Sequence, residues 1–172
     1  PEKLDLDCVT VCGHSRLGKT ALVAGAFDER FKFSYSNDSG CSGASLARWT
    51  RGETVKEITD RFPFWFCENY NKYRDNESAM PFDQHYLIAS IAPRHAVIGS
   101  ASEDLWADPR SEMLSCVAAS PAFENGFKYE NRYPEINDMF FDGDIGYHMR
   151  KGLHYFSRED WNKLIKYVNI HR

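Results

Sequence analysis

Residues 13–20, with the sequence GHSRLGKT, constrain the fold of this chain more than any other segment. Their spacing matches G-x-x-x-x-G-K-[ST], a loop whose backbone amides cradle phosphate groups. They also resemble the sharp strand-to-helix turn that exposes a nucleophilic serine, here Ser15. Both interpretations need an apolar strand before the turn and a helix after it, and residues 8–12 and 20–27 supply them. The two chemistries are incompatible, so the rest of the chain must discriminate between them.

Predicted strands and helices alternate along the remaining chain. Strands are expected at 31–37, 95–101 and 145–150, longer helices at 81–91, 109–119 and 158–170, short helical pieces at 44–49 and 54–61, and a loop-like region at 120–145. Segment 31–37 is assigned as a strand because its large side chains alternate with a period of two. The alternation of strands and helices predicts an α/β fold with a mostly parallel sheet flanked by helices. A length of 172 residues suits one domain.

Composition disfavours several classes of partner. The formal net charge is −4 and no basic run stands out, which disfavours nucleic acid or an anionic membrane surface as a partner. No run of about 18 apolar residues is present, so no membrane-spanning helix is predicted. The five cysteines are odd in number and contain no C-x-x-C pair, so we expect neither a disulfide framework nor a zinc site, and most are expected to be buried.

The phosphate-binding interpretation lacks a partner elsewhere in the chain. A nucleotide hydrolase needs a second apolar strand that ends in an aspartate to hold magnesium. Asp38, after segment 31–37, is the nearest candidate, but the alternate positions of that segment are Lys, Ser and Ser. Nucleotide binding through residues 13–20 is therefore the weaker alternative.

The serine interpretation requires an acid and a histidine downstream of Ser15, in that order. The strict G-x-S-x-G spacing is missed by one residue, because Leu17 stands where the second glycine belongs. The candidate bases are His85, His95, His148 and His154. His154 lies between the last predicted strand and the last helix, which is the position that suits a catalytic histidine. The acid is either Asp38 or Asp104, each following a predicted strand, and either could instead be a turn-former.

Nine segments, in order along the chain, resemble the glucuronoyl esterases, carbohydrate esterase family 15, and are more similar to bacterial than to fungal members. They are residues 13–19, 36–44, 51–55, 62–67, 83–85, 91–94, 104–109, 146–148 and 152–154. The resemblance implies an α/β-hydrolase fold and a serine carbohydrate esterase that needs no metal or cofactor. The implied substrate is an ester of glucuronic or 4-O-methyl-glucuronic acid in xylan, as in lignin–carbohydrate linkages. A related enzyme acting on acetylated xylan is the alternative.

The same resemblance implies roles for individual side chains. They are Ser15 as the nucleophile, His154 as the general base, Arg16 as a stabiliser of the oxyanion, and Lys19, Glu53 and Trp106 as ligands of the sugar. Many family members carry a glutamate where this chain has Asp38, one methylene shorter, so the acid is undecided with a lean toward Asp104. His14 replaces the cysteine that precedes the serine in the family, so the disulfide found there in fungal members cannot form.

Family members also carry a long segment before the strand that leads to the serine, whereas this chain begins at that strand. We therefore interpret residues 1–172 as the C-terminal portion of a single α/β-hydrolase catalytic domain, with the N-terminal segment of that domain as an expected partner. Without that segment the sheet is expected to leave an edge unpaired and an apolar face uncovered. A secreted or periplasmic location is implied by the resemblance alone.

Overall fold

A computed structural model of the chain describes residues 4–172 and arranges them as a five-stranded sheet with helices on both faces. The strands are β1 (Thr10–His14), β2 (Phe33–Asn37), β3 (His95–Ala101), β4 (Met139–Phe140) and β5 (Ile145–Arg150). The α-helices are α1 (Arg16–Phe27), α2 (Val55–Arg61), α3 (His85–Ala89), α4 (Pro109–Ala119) and α5 (Arg158–His171). Short 3-10 turns cover Leu6–Cys8, Pro63–Trp65, Glu68–Tyr73, Glu77–Ala79 and Ser120–Ala122.

The sheet has the strand order β1-β2-β3-β5-β4, and every neighbouring pair is parallel except β4 with β5. His14 aligns with Asn37, Asn37 with Gly99, and Gly99 with His148. The carboxyl ends of the four parallel strands therefore meet at one edge, where open α/β sheets bind their ligands. The predicted α/β fold with a mostly parallel sheet is confirmed.

Each face of the sheet carries its own apolar core. On one face, Leu22 of α1 and Met113 of α4 pack with Ile98 and Ile145 from the sheet. On the other, Leu164 and Tyr167 of α5 pack against residues of β2 and β3, including Val97. A third, smaller cluster joins α2 to the aromatic segment that follows it. The central strands β2, β3 and β5 are buried along their whole length, as expected of a parallel sheet covered on both sides.

Several secondary-structure predictions need correction. Residues 44–49 form turns rather than a helix, because the Asp83 carboxylate accepts hydrogen bonds from the amides of Ala47 and Arg48 and holds them outside a helical pattern. Segment 81–91 is helical only over α3, and the loop expected at 120–145 contains the two-residue strand β4. Segment 31–37 is a strand over β2, as predicted; it is fully buried, and the Ser34 hydroxyl donates to the Ala21 carbonyl.

The cysteines also differ from the prediction that most of them are buried. Cys41 and Cys116 are buried, Cys8 and Cys12 are partly exposed, and Cys67 is exposed. Within residues 4–172, no helix is long and apolar enough to cross a membrane. In the same range β1 pairs with β2 alone, and α1 exposes Leu17, Val23 and Phe27.

Candidate active site

Ser15 occupies a strained turn between β1 and α1. Its backbone has φ 58° and ψ −125°, a conformation that a residue with a side chain rarely adopts. The Ser15 amide donates to the Asn37 carbonyl (2.8 Å), which fixes the turn against the neighbouring strand. A Cβ at Gly13 would lie 2.0 Å from the Leu17 carbonyl oxygen, so only glycine allows the helix to start this close to the strand. The local sequence thus presents the Ser15 hydroxyl at the carboxyl edge of the sheet.

Ser15, His154 and Asp104 form a chain of hydrogen bonds across three loops at that edge. His154 follows β5, and its Nε2 lies 2.8 Å from Ser15 Oγ. Its Nδ1 lies 2.6 Å from Oδ2 of Asp104, which follows β3 and is buried. An ionised carboxylate only accepts hydrogen bonds, so Asp104 selects the tautomer with the proton on Nδ1. The lone pair of Nε2 then faces the serine hydroxyl, which is the arrangement a general base needs.

Asp38 lies beside this chain but has different partners. Its Oδ2 accepts a hydrogen bond from Nη2 of Arg150 (3.1 Å) and lies 3.9 Å from Nδ1 of His14. Burial raises the pKa of Asp38 to about 9, with a further contribution from the Glu112 carboxylate, and Arg150 opposes that rise. The two acid candidates from the sequence are therefore placed differently, and Asp104 is the one hydrogen-bonded to His154.

The other candidate histidines have structural surroundings. His148 is fully buried in β5, where its Nε2 lies 2.9 Å from the Tyr35 hydroxyl and burial lowers its pKa to about 3. His95 stacks on Phe33 at the start of β3, and burial lowers its pKa to about 4. His85 begins α3, and its ring packs against that of Tyr86. None of these contacts directs a ring toward Ser15.

A cleft of about 350 Å³ opens above the Ser15 hydroxyl. Its lining consists of Ser15, Lys19, Asp38, Ser39, Gly40, Glu53, Arg61, Phe62, Trp65, Asp104, Trp106, Ala107 and His154. The three sugar ligands expected from the resemblance therefore lie in one cleft with the serine and the histidine. Arg16 is the first residue of α1 and lines a neighbouring cavity of about 530 Å³, which shares Lys19 and Trp65 with the cleft.

Lys19 and Glu53 bring opposite charges into the cleft. Desolvation lowers the pKa of Lys19 and raises that of Glu53, and each charge partly offsets the effect of burial on the other. The Lys19 ammonium donates to the Ser39 carbonyl, and the Glu53 amide donates to the Trp106 carbonyl (2.9 Å). Lys19 and Glu53 thus both line the cleft wall, where desolvated charges interact strongly with a polar ligand.

Sequence reasoning missed a stacked aromatic pair in the cleft wall. The ring centroids of Phe62 and Trp65 are 3.9 Å apart, and the two ring planes are nearly parallel, with 5° between them. The Arg61 guanidinium lies 5.5 Å from the Phe62 ring, and that of Arg16 lies 5.9 Å from the Trp65 ring. The density of aromatic residues between 62 and 73 is the available signal, but it does not distinguish a cleft wall from a core.

Sequence reasoning also missed Glu112, a fully buried carboxylate on α4. It accepts hydrogen bonds from the amides of Ser39 (2.9 Å) and Gly40 (3.0 Å) and from the Ser100 hydroxyl (2.6 Å). Burial raises its pKa to about 7. Glu112 therefore fixes the loop after β2, which carries the carbonyl that holds Lys19. No pattern in the sequence separates this glutamate from an exposed helical one.

Three of these side chains could in principle approach one metal ion. Asp38, Asp104 and His154 each offer a ligand atom, and the three atoms lie within 4.8 Å of one another. His154 and Asp104 already bind each other, and Arg150 donates to Asp38. The hydrogen-bonded chain to Ser15 accounts for this cluster without an ion.

Residues 13–20 do not have the geometry of a phosphate loop. α1 begins at Arg16, so the second half of the motif is helical. Lys19 is directed to the Ser39 carbonyl, and the Thr20 hydroxyl donates to the Arg16 carbonyl (3.2 Å). A phosphate loop directs this lysine and hydroxyl to the phosphates and to magnesium. The match to the phosphate-binding pattern is therefore a coincidence of spacing.

A serine on a strained strand-to-helix turn, an acid after a later strand and a histidine after the last strand, on a mostly parallel sheet, define an α/β-hydrolase. A family model described as "Glucuronyl esterase, fungi" matches residues 1–125. The chain belongs to the glucuronoyl esterase family, carbohydrate esterase family 15, as the sequence resemblance predicts.

Solved structures and a curated relative agree with this assignment. A structure described as a promiscuous esterase of the same family, from a marine bacterial metagenome, is 44% identical with a TM-score of 0.95 and is matched over 100% of this chain and 44% of its own. The glucuronoyl esterase from Solibacter usitatus is 39% identical with a TM-score of 0.90, over 98% of this chain and 44% of its own. A 4-O-methyl-glucuronoyl methylesterase from Phanerochaete carnosa is 33% identical over 123 residues, which are 67% of this chain and 30% of that protein. The chain thus spans less than half the length of these relatives.

Proposed function

We propose that these residues belong to a serine esterase that hydrolyses esters of glucuronic or 4-O-methyl-glucuronic acid on xylan, including esters to lignin alcohols. The hydrogen-bonded chain from Ser15 through His154 to Asp104, at the floor of the cleft, carries this proposal. The names of the Solibacter usitatus and Phanerochaete carnosa enzymes support the substrate class. As part of the proposal, residues 1–172 form the C-terminal portion of a single α/β-hydrolase catalytic domain, which the greater length of the relatives supports.

In the proposed reaction the Ser15 oxygen attacks the carbonyl carbon of the ester and His154 Nε2 takes the serine proton. The resulting oxyanion lies at the start of α1, where the Arg16 amide follows the nucleophile and the guanidinium adds positive charge. Collapse of this intermediate breaks the bond to the alcohol, which leaves with the proton from His154. Water, deprotonated by His154, then attacks the acyl-enzyme, and glucuronate leaves as Ser15 regains its proton.

We assign the role of the acid to Asp104. Its 2.6 Å contact with His154 Nδ1 orients the imidazole and stabilises the imidazolium that forms when Ser15 is deprotonated. Asp38, with a raised pKa and a bond to Arg150, is poorly suited to that role because a protonated acid cannot stabilise an imidazolium by charge.

Substrate recognition is assigned to three cleft residues. Lys19 and Glu53 supply a donor and an acceptor for hydroxyl groups of the uronate ring, and the half-exposed Trp106 offers an apolar face against the sugar. A site built to hydrogen-bond particular hydroxyls discriminates strongly against substrates that lack them, because its buried polar groups are then left unpaired.

The test compares the hydrolysis of benzyl glucuronate with that of an aryl acetate. It uses the protein as its gene encodes it, and the intact mass of the assayed sample is recorded. Cleavage of the glucuronate ester that is lost in Ser15→Ala would support both the reaction and the nucleophile. Turnover that persists in Ser15→Ala would exclude the scheme. Retention of sugar binding by Ser15→Ala, measured by calorimetry with glucuronate, is the control that the cleft is intact.

Hydrolysis of another ester, such as acetylated xylan, is the second candidate. The metagenomic relative is a promiscuous esterase, which favours this candidate. Cleavage of the acetate alone, with no effect of Lys19→Ala or Glu53→Ala, would support this alternative. We place the enzyme in the secreted or periplasmic fraction, because a polymeric substrate does not enter the cell, and cell fractionation with immunodetection tests that location.

A further inference from the structure

Arg150, the last residue of β5, is a buried arginine that the reaction scheme leaves without a role. Its side chain is 1% exposed, and its guanidinium carries hydrogen bonds along both edges. Nε donates to both carboxylate oxygens of Asp160 at the start of α5, at 3.0 and 2.8 Å. Nη2 donates to Asp38 Oδ2 at 3.1 Å. Arg150 therefore links the loop after β2 to the first turn of the last helix.

The same guanidinium also binds the loop that carries His154. Nη2 donates to the carbonyl of Leu153 (3.1 Å) and to that of Tyr155, and Nη1 donates to the carbonyl of Lys151 (3.3 Å). The Tyr155 ring covers the guanidinium, with 4.0 Å between the ring centroid and Cζ. The residues on both sides of His154 are thus tied through their backbone to one rigid, planar group.

The acid loop is attached to the same segment. The Ser102 amide donates to the Arg150 carbonyl and the Glu103 amide to the Gly152 carbonyl, both at 2.9 Å. Glu103 directly precedes Asp104. The loops of His154 and Asp104 are therefore both attached to one short stretch of backbone, 150–152. The Arg150 side chain fixes the conformation of that stretch through its bond to the Lys151 carbonyl.

We propose that Arg150 is a positioning residue that holds the His154 loop in register with Ser15 and Asp104. This inference rests on the proposed function, since it assumes that Ser15 and His154 act together. The ring of half-exposed His154 contacts Asp104, Ser15 and the His14 ring, whose centroid lies 4.5 Å away, and the loop that carries this ring is held by Arg150. Arginine suits the task because its fixed fork of donors binds several carbonyl and carboxylate oxygens at once, whereas lysine offers a single flexible ammonium.

The test measures how fast a fluorophosphonate labels Ser15, a reaction that needs an activated serine but no recognition of the sugar. Arg150→Lys keeps the positive charge beside Asp38 and Asp160 and loses the planar fork. We expect labelling to slow by at least roughly 10-fold, since a displacement near 1 Å of a catalytic group can cost about 100-fold. The control is Arg30→Lys, the same exchange at an exposed arginine that pairs with Asp28, which should label at the unaltered rate.

A second variant perturbs the same contact from the loop. Gly152 has φ 120°, and a Cβ there would lie 2.5 Å from the Tyr155 hydroxyl and 3.2 Å from Arg150 Nη1. Gly152→Ala leaves the buried charges untouched, so it remains informative if Arg150→Lys fails to fold. It should slow labelling while the circular dichroism spectrum stays that of the unaltered protein.

The outcomes separate the two proposals. No labelling of Ser15 in the unaltered protein would remove the proposed function, and the positioning role with it. If either folded variant, Arg150→Lys or Gly152→Ala, is labelled at the same rate as the unaltered protein, the positioning role is overturned. The proposed function would still stand. A merely structural role predicts lower thermal stability in Arg150→Lys with no change in the labelling rate of the folded protein.

Discussion

His154 Nδ1 lies 2.6 Å from Asp104, while Asp38, on the adjacent loop, binds Arg150 instead. Two buried aspartates thus flank one histidine, but a single one of them orients it. The distinction matters because activation of Ser15, the proposed nucleophile, depends on the tautomer of His154, and that tautomer is set by the acceptor at Nδ1.

Asp104→Asn is expected to lower kcat far more than Asp38→Asn. The amide at 104 allows the wrong tautomer of His154, and a loss on the order of 10⁴-fold in kcat follows from comparable serine enzymes. Asp38→Asn keeps an acceptor for Arg150 and should retain kcat within about 10-fold, because it leaves the contact at Nδ1 in place. Steady-state hydrolysis of benzyl glucuronate by both variants measures the difference. Equal losses, or a larger loss in Asp38→Asn, would transfer the acid role to Asp38.

Lys19→Met is expected to weaken substrate recognition. Methionine keeps the aliphatic length and removes the ammonium, so a hydrogen bond from a charged donor to the uronate ring is lost. Such bonds contribute about 1.5–3 kcal/mol, which corresponds to roughly a 10- to 150-fold loss in kcat/KM for the glucuronate ester. Hydrolysis of an aryl acetate by the same variant is the control and should change little. An equal loss on both esters would place Lys19 in the chemical step rather than in recognition of the sugar.

Glu112→Gln should change how stability depends on pH. Burial raises the pKa of Glu112 to about 7 in the folded state, above its ordinary 4.5. The folded protein therefore binds more protons than the unfolded chain between these values, and the stability that this group contributes falls as pH rises through that window. The change amounts to roughly 3 kcal/mol by linkage, and Gln cannot show it.

Urea unfolding of both proteins at several pH values between about 4.5 and 7 measures this effect. The free energy of unfolding of Glu112→Gln minus that of the unaltered protein should increase with pH across the window. A difference that stays constant would mean that Glu112 has an ordinary pKa in the folded protein.

Thr54→Ala is expected to destabilise α2 without affecting the chemistry. Thr54 accepts from the Glu57 amide (3.2 Å), and the Glu57 carboxylate accepts from the Thr54 amide (2.9 Å), which is a complete capping box. Its loss costs about 1 kcal/mol in the free energy of unfolding. Thr20→Ala is the matched control, since the exposed Thr20 hydroxyl bonds only within its own helix. The cap would be shown unimportant if both variants unfolded at the same urea concentration.

Sequence reasoning succeeded where local patterns decide the structure. β1, Ser15 and α1 are adjacent in the chain, so their arrangement follows from one apolar run, one glycine-flanked turn and one helical run. β5 and α5 were predicted for the same reason. The loop position of His154 follows from these two elements.

The parts that could not be predicted depend on distant partners. Residues 44–49 form turns because Asp83, more than thirty residues later, binds their amides. The different surroundings of Asp38 and Asp104 depend on Arg150 and His154, which lie more than forty residues further along the chain and bind one aspartate each. Arg150 and Glu112 look like ordinary charged residues in the sequence, and only their burial reveals that they hold loops of the site.

Asp160 belongs to two structures at once. Its Oδ2 accepts from the Ser157 amide and hydroxyl in the capping box at the start of α5, and both of its carboxylate oxygens accept from Nε of Arg150. Fraying of the first turn of α5 would therefore release the anchor of the His154 loop. The rate of amide hydrogen exchange near the start of α5 should then follow the loss of Ser15 reactivity. Solution conditions that unwind this turn should abolish that reactivity before the sheet itself unfolds.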